Sequence, residues 1–292
     1  MAARNGVSAV AVACVMEQVE ERRLLSASLD DGVLTVTGTA GRDRITVQQD
    51  PADDSRILVT DNGRARRFRL SDVTKVTVRG LGGNDVLSGQ RALAVRTVLL
   101  GDDGNDTLTG SGGDDKLLGG RGRDVLSGGN GDDDCRGEAG DDRLVGGRGR
   151  DRLSGGADDD ILKGFADDDT LLGEVGDDSL FGGDGDDDCR GHAGDDSVRG
   201  DAGDDDITGG SGRDHVRGGE GNDDYDEVDD NSGELEDRVG DDDGDNEHGR
   251  GEHHDANDDG VLDDDDDGTP DQGGGNDDDV LTAGVSTGPV FA

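Results

Sequence analysis

A nine-residue period constrains the fold of this chain more than any other feature. Written in nines from Gly101, the sequence runs GDDGNDTLT, GSGGDDKLL, GGRGRDVLS, GGNGDDDCR and onward to GGEGNDDYD. The block ends at Asp226 and holds 14 repeats in 126 residues. Such a period predicts a solenoid, in which each repeat is one small unit that buries its apolar residue only by stacking on its neighbours.

Three columns of the repeat predict its local geometry. The first position is Gly in all 14 repeats, and the fourth is Gly in 12, with Asp158 and Asp167 as the exceptions. Gly permits positive φ, so we expect the first six residues to form a turn and the last three a short strand. The middle strand residue, at the eighth position, points away from its neighbours and is expected to face inside. This column contains Leu108, Leu117, Leu126, Cys135, Leu144, Leu153, Leu162, Leu171, Leu180, Cys189, Val198, Ile207, Val216 and Tyr225.

Two repeats make one flattened coil of 18 residues with a turn on each edge, so 14 repeats predict seven coils. The predicted fold class is therefore all-β, a β-solenoid of about seven two-repeat coils. Cys135 and Cys189 lie three coils apart, roughly 14 Å at the usual strand spacing. That separation exceeds the ~7 Å between Cα atoms that a disulfide tolerates. We expect both to be small buried apolar residues.

The sixth position is Asp in every repeat. Its members are Asp106, Asp115, Asp124, Asp133, Asp142, Asp151, Asp160, Asp169, Asp178, Asp187, Asp196, Asp205, Asp214 and Asp223. With this column the block resembles the GGxGxDxUx nonapeptide of the RTX, or haemolysin-type, calcium-binding family. The resemblance covers 126 of 292 residues, and fourteen matches in register are very specific.

The resemblance implies a parallel β-roll, in which calcium binds between turns stacked on the same edge. The sixth-position carboxylates and the backbone carbonyls of the turn would be its ligands. Those carbonyls lie around Gly104, Gly113, Gly122, Gly131, Gly140, Gly149, Gly176, Gly185, Gly194, Gly203, Gly212 and Gly221. Hard oxygen ligands suit calcium better than zinc or copper.

The repeat count limits the number of ions. Stacked turns belong to repeats i and i+2, so 14 repeats offer twelve pairs and about twelve ions at most. Because the formal charge is −44, we expect the block to repel itself and stay unfolded without calcium. A solvated acidic linker is the alternative, but a linker does not require Gly, Asp and Leu at fixed positions of a repeat.

Asp158 and Asp167 tolerate positive φ less well than Gly, so the coil that contains them is expected to hold weaker calcium sites.

The composition of the chain argues against several other kinds of core, partner and binding site. Aromatic residues make up 2% and Trp is absent, so a core of large side chains is not expected. The charge argues against nucleic acid and anionic membranes as partners and favours small cations. No stretch approaches the ~20 apolar residues of a spanning helix. Three cysteines provide neither a disulfide framework nor a zinc cluster.

Residues 28–100 contain short β-branched runs separated by Gly, Asp or Asn. Two stretches echo the repeat, GTAGRDRIT at 38–46 and GLGGNDVLS at 80–88, and they add Asp43 and Asp85 as further candidate ligands. We therefore predict a β-rich cap, or first coils, of the same solenoid, since a solenoid needs an atypical unit to cover its open edge. A separate sandwich domain is the alternative.

The two ends of the chain carry different signals. Residues 1–27 are expected to be an export or targeting segment with a short apolar core, and Cys14 lies in a weak lipoprotein box. The C-terminal end is apolar and uncharged, so export by a C-terminal signal is a further alternative. Residues 227–292 form an acidic tail, expected to be largely disordered. Its stretch 255–271 resembles a thrombospondin type 3 repeat or a bare EF-hand loop, with candidate ligands at Asp255, Asn257, Asp259, Asp263 and Asp266.

The sequence thus predicts a secreted or cell-surface bacterial calcium-binding protein that folds on binding calcium, with a structural or adhesion-type role. The alternative is the calcium-stabilised C-terminal or fragment portion of a secreted hydrolase or toxin. Only about 70 residues that could hold a catalytic domain precede the repeats, and no H-E-x-x-H motif occurs, so an enzyme is not expected. The exposed seventh and ninth positions mix Arg, Asp, Ser and Thr, and no large apolar patch is apparent.

Overall fold

The computed structural model describes residues 26–90 and 95–225, and this part of the chain is all-β, with one short 3-10 helix at Leu70–Asp72 and no α-helix. The predicted fold class is confirmed. The strands are β1 (Ser26–Asp30), β2 (Val33–Thr37), β3 (Arg44–Asp50), β4 (Asp53–Asp61), β5 (Arg64–Arg69), β6 (Lys75–Gly82), β7 (Val86–Gly89), β8 (Thr97–Asp103), β9 (Thr107–Thr109), β10 (Lys116–Arg121), β11 (Val125–Asn130), β12 (Asp134–Ala139), β13 (Arg143–Arg148), β14 (Arg152–Ala157), β15 (Ile161–Ala166), β16 (Thr170–Val175), β17 (Ser179–Asp184), β18 (Asp188–Ala193), β19 (Ser197–Ala202), β20 (Asp206–Ser211), β21 (His215–Glu220) and β22 (Asp224–Tyr225).

The strands form two sheets of eleven. Sheet A has the order β1-β2-β6-β8-β10-β12-β14-β16-β18-β20-β22, and sheet B has the order β21-β19-β17-β15-β13-β11-β9-β7-β3-β4-β5. Strands β9–β22 correspond one to one to the 14 repeats and alternate between the sheets. Each coil therefore consists of two repeats, and the seven predicted coils are present. Neighbouring strands of the repeat block within one sheet are parallel and 18 residues apart in register, as Leu126 and Leu144 illustrate.

The core lies between the sheets and is one residue wide in each. Every eighth-position side chain from Leu108 to Val216 is buried. Cys135 and Cys189 occupy this column in sheet A, and both are buried free thiols, as predicted. Burial raises the thiol pKa of Cys189 well above its usual value.

The strands of the complete coils are longer than the sequence predicted. Most span six residues, so they include the first three positions of the next repeat, as β11 shows. The reason is spatial. A β-carbon at Gly119, a first-position residue, would lie 2.8 Å from the carbonyl oxygen of Gly137 in the next coil. The first Gly thus provides room between stacked strands, whereas positive φ occurs at the second and fourth positions, for example 117° at Gly120 and 106° at Gly131.

The N-terminal region supplies strands of the same two sheets. Strands β2, β6 and β8 continue sheet A, and β3 and β7 continue sheet B, all in parallel pairing. Beyond them the pairing becomes antiparallel, through β1 in sheet A and the β4–β5 hairpin in sheet B. Leu87 pairs with Leu108, 21 residues on, so this coil is three residues longer than the 18-residue coils of the repeat block.

Several predicted features lie outside the described residues. They are the export segment up to residue 25, the acidic tail, and the candidate calcium ligands between 255 and 271. Residues 26–27, at the end of the predicted export segment, belong to β1.

Candidate metal centres

The sixth-position carboxylates lie where each turn enters the following strand. Asp214 and every earlier member of the column are buried, and Asp223 is half-buried. The fold buries them for a local reason. The side chain folds back over its own turn, and its Oδ2 atom contacts the first-position Gly, as Asp106 does with Gly101. A first-position side chain would occupy the same space, so the Gly and Asp columns depend on each other.

One oxygen of each carboxylate connects neighbouring coils. The Oδ1 atom accepts the backbone N–H of the aspartate 18 residues earlier, at 2.7 Å for Asp106 and Asp124 and at 2.8 Å for Asp115 and Asp133. The pattern repeats along both edges as far as Asp205 and Asp223, at 3.2 Å. Each edge of the coil stack therefore carries a continuous ladder of hydrogen-bonded carboxylates.

In most of these carboxylates the other oxygen has no hydrogen-bond partner among the described residues. Thirteen buried Oδ2 atoms are in this state, those of Asp85, Asp106, Asp124, Asp133, Asp142, Asp151, Asp160, Asp169, Asp178, Asp187, Asp196, Asp205 and Asp223. A buried acceptor without a partner costs on the order of 1–3 kcal/mol, and more when it is charged. A regular series of such atoms fits a hard cation, which would supply the missing partner.

Burial raises the pKa of these carboxyls, and neighbouring carboxylates add to the effect. The pKa is raised to about 8 for Asp133, Asp160 and Asp169. It is raised to about 7 for Asp85, Asp142, Asp151, Asp196 and Asp205, and to about 6 for Asp124, Asp178 and Asp187. The backbone N–H of the preceding coil opposes the shift. The arrangement therefore disfavours charge at these sites unless a cation is bound.

Side chains alone do not build a complete coordination shell. Among the described residues, no three His, Cys, Asp or Glu side chains are grouped closely enough to hold a metal ion. An ion at the turns would therefore take most of its oxygens from the backbone. Fourth-position carbonyls are available there, since a β-carbon at Gly149 would lie 2.5 Å from the carbonyl oxygen of Gly131 in the preceding coil.

Asp115 differs from the rest of its column. Its carboxylate accepts the backbone N–H and the hydroxyl of Ser111, and the Thr97 N–H donates to its Oδ1 at 2.6 Å. Thr97 stands 18 residues before Asp115, where an earlier repeat would have its aspartate. The ladder on this edge thus begins with a threonine. The sequence predicted Asp115 as an equal ligand, but its oxygens already have partners.

The opposite ladder extends upstream through the two candidates from the echo repeats. Asp85 accepts the N–H of Asp43 at 2.7 Å, and the Asp85 N–H donates to Asp106 at 2.7 Å. Asp43 itself accepts the side-chain amide of Asn62 at 2.9 Å. Asp61 adds a carboxylate that sequence reasoning missed, because it lies in antiparallel β4 outside the period. It is buried, and its Oδ1 has no hydrogen-bond partner.

The two fourth-position exceptions adopt the turn conformation of Gly. The φ angles are 77° at Asp158 and 73° at Asp167. The Asp167 carboxylate accepts the Gly149 N–H at 3.0 Å, and its charge contributes to the raised pKa of Asp151. Both aspartates thus add backbone strain and negative charge beside the ladders.

A parallel β-solenoid with a ladder of buried carboxylates along each edge defines a cation-binding repeat protein. The family model described as RTX calcium-binding nonapeptide repeat (4 copies) matches residues 77–91, 100–135, 136–164, 163–198 and 199–226. The chain belongs to this RTX calcium-binding repeat family, and its β-roll binds calcium. A search of curated proteins found no match. In the described ranges, no helix has the length and apolar character needed to cross a membrane.

Proposed function

We propose that this protein is a calcium-dependent structural module whose β-roll folds on binding calcium. The observation that carries the proposal is the series of thirteen buried Oδ2 atoms without a partner. A calcium-free roll would bury these carboxylates at a cost that its small core offsets poorly, since each repeat contributes only one apolar side chain. Calcium between stacked turns would remove that cost.

The proposed ligands are the sixth-position carboxylates together with the carbonyls around the fourth-position residues of adjacent coils. About twelve ions at most would bind in the main block. Twelve divalent ions would offset roughly half of the −44 formal charge. Asp115 is expected to contribute least, because its oxygens already accept hydrogen bonds. The echo repeats would add Asp43 and Asp85 as ligands at the N-terminal end of one edge.

Circular dichroism in the far ultraviolet tests the proposal directly. Addition of calcium to the chelator-treated protein should convert a coil spectrum into a β spectrum. Magnesium serves as the matched control, because it demands a smaller octahedral shell and should not substitute. Competition with a calcium indicator should give about twelve ions or fewer for the block. A spectrum that calcium leaves unchanged would refute folding on binding.

A secreted or cell-surface location and an adhesion-type role complete the proposal. RTX repeats are typical of secreted proteins, and the repeat itself is a structural rather than a catalytic unit. Protease treatment of intact producing cells tests the location, because a surface protein is cleaved while cytoplasmic markers survive. Protection of the chain on intact cells, together with its absence from the medium, would refute it.

The second candidate is a portion of a secreted hydrolase or toxin. One sequence feature favours it, the spacing G-x-S-x-G at Gly284, Ser286 and Gly288, which is used by nucleophile elbows in hydrolases. These residues lie outside the described ranges. Hydrolase screening of the calcium-loaded protein beside its Ser286→Ala variant distinguishes the two. Turnover that survives repurification and disappears in the variant would favour the enzyme.

A further inference from the structure

Sheet B carries a strip without acidic residues on its outer face. We define the basic strip as the outward seventh and ninth positions of β11, β13, β15, β17, β19 and β21. Its members are Val125, Ser127, Arg143, Val145, Ile161, Lys163, Ser179, Phe181, Ser197, Arg199, His215 and Arg217. Four are basic and none is acidic, in a protein with 73 acidic and 29 basic residues.

The equivalent positions of sheet A provide a comparison within the same molecule. They hold Lys116, Leu118, Asp134, Arg136, Arg152, Ser154, Thr170, Leu172, Asp188, Arg190, Asp206 and Thr208. This face also has four basic residues, but three aspartates accompany them. Asp134 pairs with Lys116 at 2.8 Å and with Arg136 at 3.0 Å, and Asp188 pairs with Arg190 at 2.8 Å. The cations of sheet A are therefore mostly neutralised on their own face.

The cations of the basic strip are mostly available. Within the part of the chain that the structure describes, Arg199 is the only strip residue with an ion pair, which it forms with Asp201 at the neighbouring second position. No carboxylate among the described residues pairs with Arg143, Lys163 or Arg217. The Lys163 ammonium instead lies over the Phe181 ring, 5.1 Å from its centroid, which holds the charge next to an apolar surface.

Apolar side chains accompany these cations. Val145, Ile161 and Phe181 lie on adjacent strands of the strip. Val125 is 41% exposed, and Phe165, which borders the strip at a second position, is 54% exposed. Two of the four phenylalanines of the chain thus lie on this one face. Exposed aromatic and basic residues together are typical of interaction surfaces.

The strip is long and narrow, and acidic edges border it. The fifth-position turn residues include the exposed Asp159, Asp177 and Asp195 on one edge and Asp168 and Asp186 on the other. Charges act over about a Debye length, ~8 Å at physiological salt, so these aspartates would act on any partner broad enough to reach the edges. A flat anionic membrane would meet these edges and be repelled. A single extended chain running along the strip would avoid them.

We propose that the basic strip binds an extended acidic polypeptide segment that also carries apolar side chains. Its carboxylates would pair with Arg143, Lys163 and Arg217, and its apolar side chains would cover Ile161 and Phe181. A polysaccharide or nucleic acid would satisfy the cations but has no aliphatic side chains for the apolar residues between them. Charge complementarity gives such a complex its specificity and its rate of association.

Fluorescence anisotropy of calcium-loaded protein tests the proposal. The probe is a short labelled peptide of Glu, Val, Leu and Gly, and a peptide with Lys in place of Glu is its control. The decisive variants are Arg143→Glu in sheet B and Arg152→Glu in sheet A. Both residues are exposed, both occupy the seventh position of adjacent repeats, and both substitutions change the net charge equally. We expect Arg143→Glu to weaken binding about tenfold or more and Arg152→Glu less than about twofold. Phe181→Ser should weaken it several-fold.

The other outcomes overturn the proposal. Equal weakening by both charge reversals would show general electrostatic attraction, and an unaffected Arg143→Glu variant would indicate calcium bridging to the acidic edges. Absence of peptide binding would refute the proposal that an acidic polypeptide binds the strip. Tighter binding of a sulfated polysaccharide, a single-stranded oligonucleotide or anionic phosphatidylserine vesicles than of the peptide would assign the strip to a different partner. Circular dichroism of each variant in calcium confirms that it is folded before binding is measured.

Discussion

The two sheets of the roll share an inner surface and differ on the outer one. Their eighth-position columns are equally buried, from Leu117 to Ile207 in sheet A and from Leu108 to Val216 in sheet B. Their outer positions separate into an ion-paired face and a basic strip with exposed apolar residues. Packing between the sheets restricts the inner columns to residues of one kind. No such restriction acts on the outer positions, so a function can shape one face without disturbing the other.

Calcium removal should have the largest effect and should not distinguish the sheets. Each turn connects a strand of sheet A to one of sheet B, so loss of the ions at either edge releases both. Hydrogen exchange after chelation at pH 7.5 should show protection lost together in β17 and β18. Protection retained in one sheet alone would show that the two faces differ in stability as well as in charge.

Acid should restore part of the fold without calcium. The buried carboxyls have folded pKa values of about 6 to 8 for eleven aspartates, Asp85 among them, above the ordinary 3.8. A raised folded pKa favours the protonated roll, so this stabilisation is fully present below about pH 4 and is lost as pH rises through 6 to 8. Circular dichroism of the chelated protein should therefore show more β-structure at pH 5 than at pH 8.

In the presence of calcium the pH dependence of the β-structure should reverse. Calcium affinity should fall at low pH, because protons compete with the ion for the carboxylates. A calcium-free spectrum independent of pH would contradict this.

Cavities in the core should cost the two sheets equally. Leu153→Ala in sheet A and Leu162→Ala in sheet B remove fully buried side chains at adjacent repeats, and each should lower the free energy of unfolding by about 2–5 kcal/mol. Urea denaturation in constant excess calcium provides the measurement. The exposed charge reversals at Arg143 and Arg152 are the controls, with changes within about 0.5 kcal/mol. Unequal costs for the two leucines would show that the inner columns differ as well.

Restoring Gly at the fourth position should have the smallest effect. The Asp158→Gly and Asp167→Gly variants relieve positive φ at a non-Gly residue and remove a carboxylate beside a ladder. We expect a few-fold tighter calcium binding for each, because relief of backbone strain at positive φ should exceed the lost attraction between the ion and the removed carboxylate. Because the residues lie on opposite edges, similar gains would show that the edges are equivalent. Calcium affinities no higher than that of the unaltered protein would contradict the prediction.

Much of the candidate site could be predicted from the sequence. The invariant Asp column predicted carboxylates at the turns of both edges, and the echo repeats placed Asp43 and Asp85 in phase with them, whereas the hydrogen bonds that join these carboxylates into ladders were not predicted. The hydrogen bonds that occupy both oxygens of Asp115 were not predictable, because they depend on Thr97 and on the longer coil before it. Asp61 was missed for a related reason. It enters the core from an antiparallel hairpin, where the nine-residue period no longer applies.

The period by itself determined the two-repeat coil, the buried column and the turn carboxylates, because each requires the same residue at the same phase in every repeat. Tertiary structure decided what depends on contacts between coils. It extended the strands through the first-position Gly, which leaves room for the carbonyl of the next coil. It also gathered alternate repeats into one sheet, so that Arg143, Lys163 and Phe181, dispersed in the sequence among Asp and Gly, share a face. Charge composition averages over the whole chain, whereas a partner meets only the surface that the fold presents.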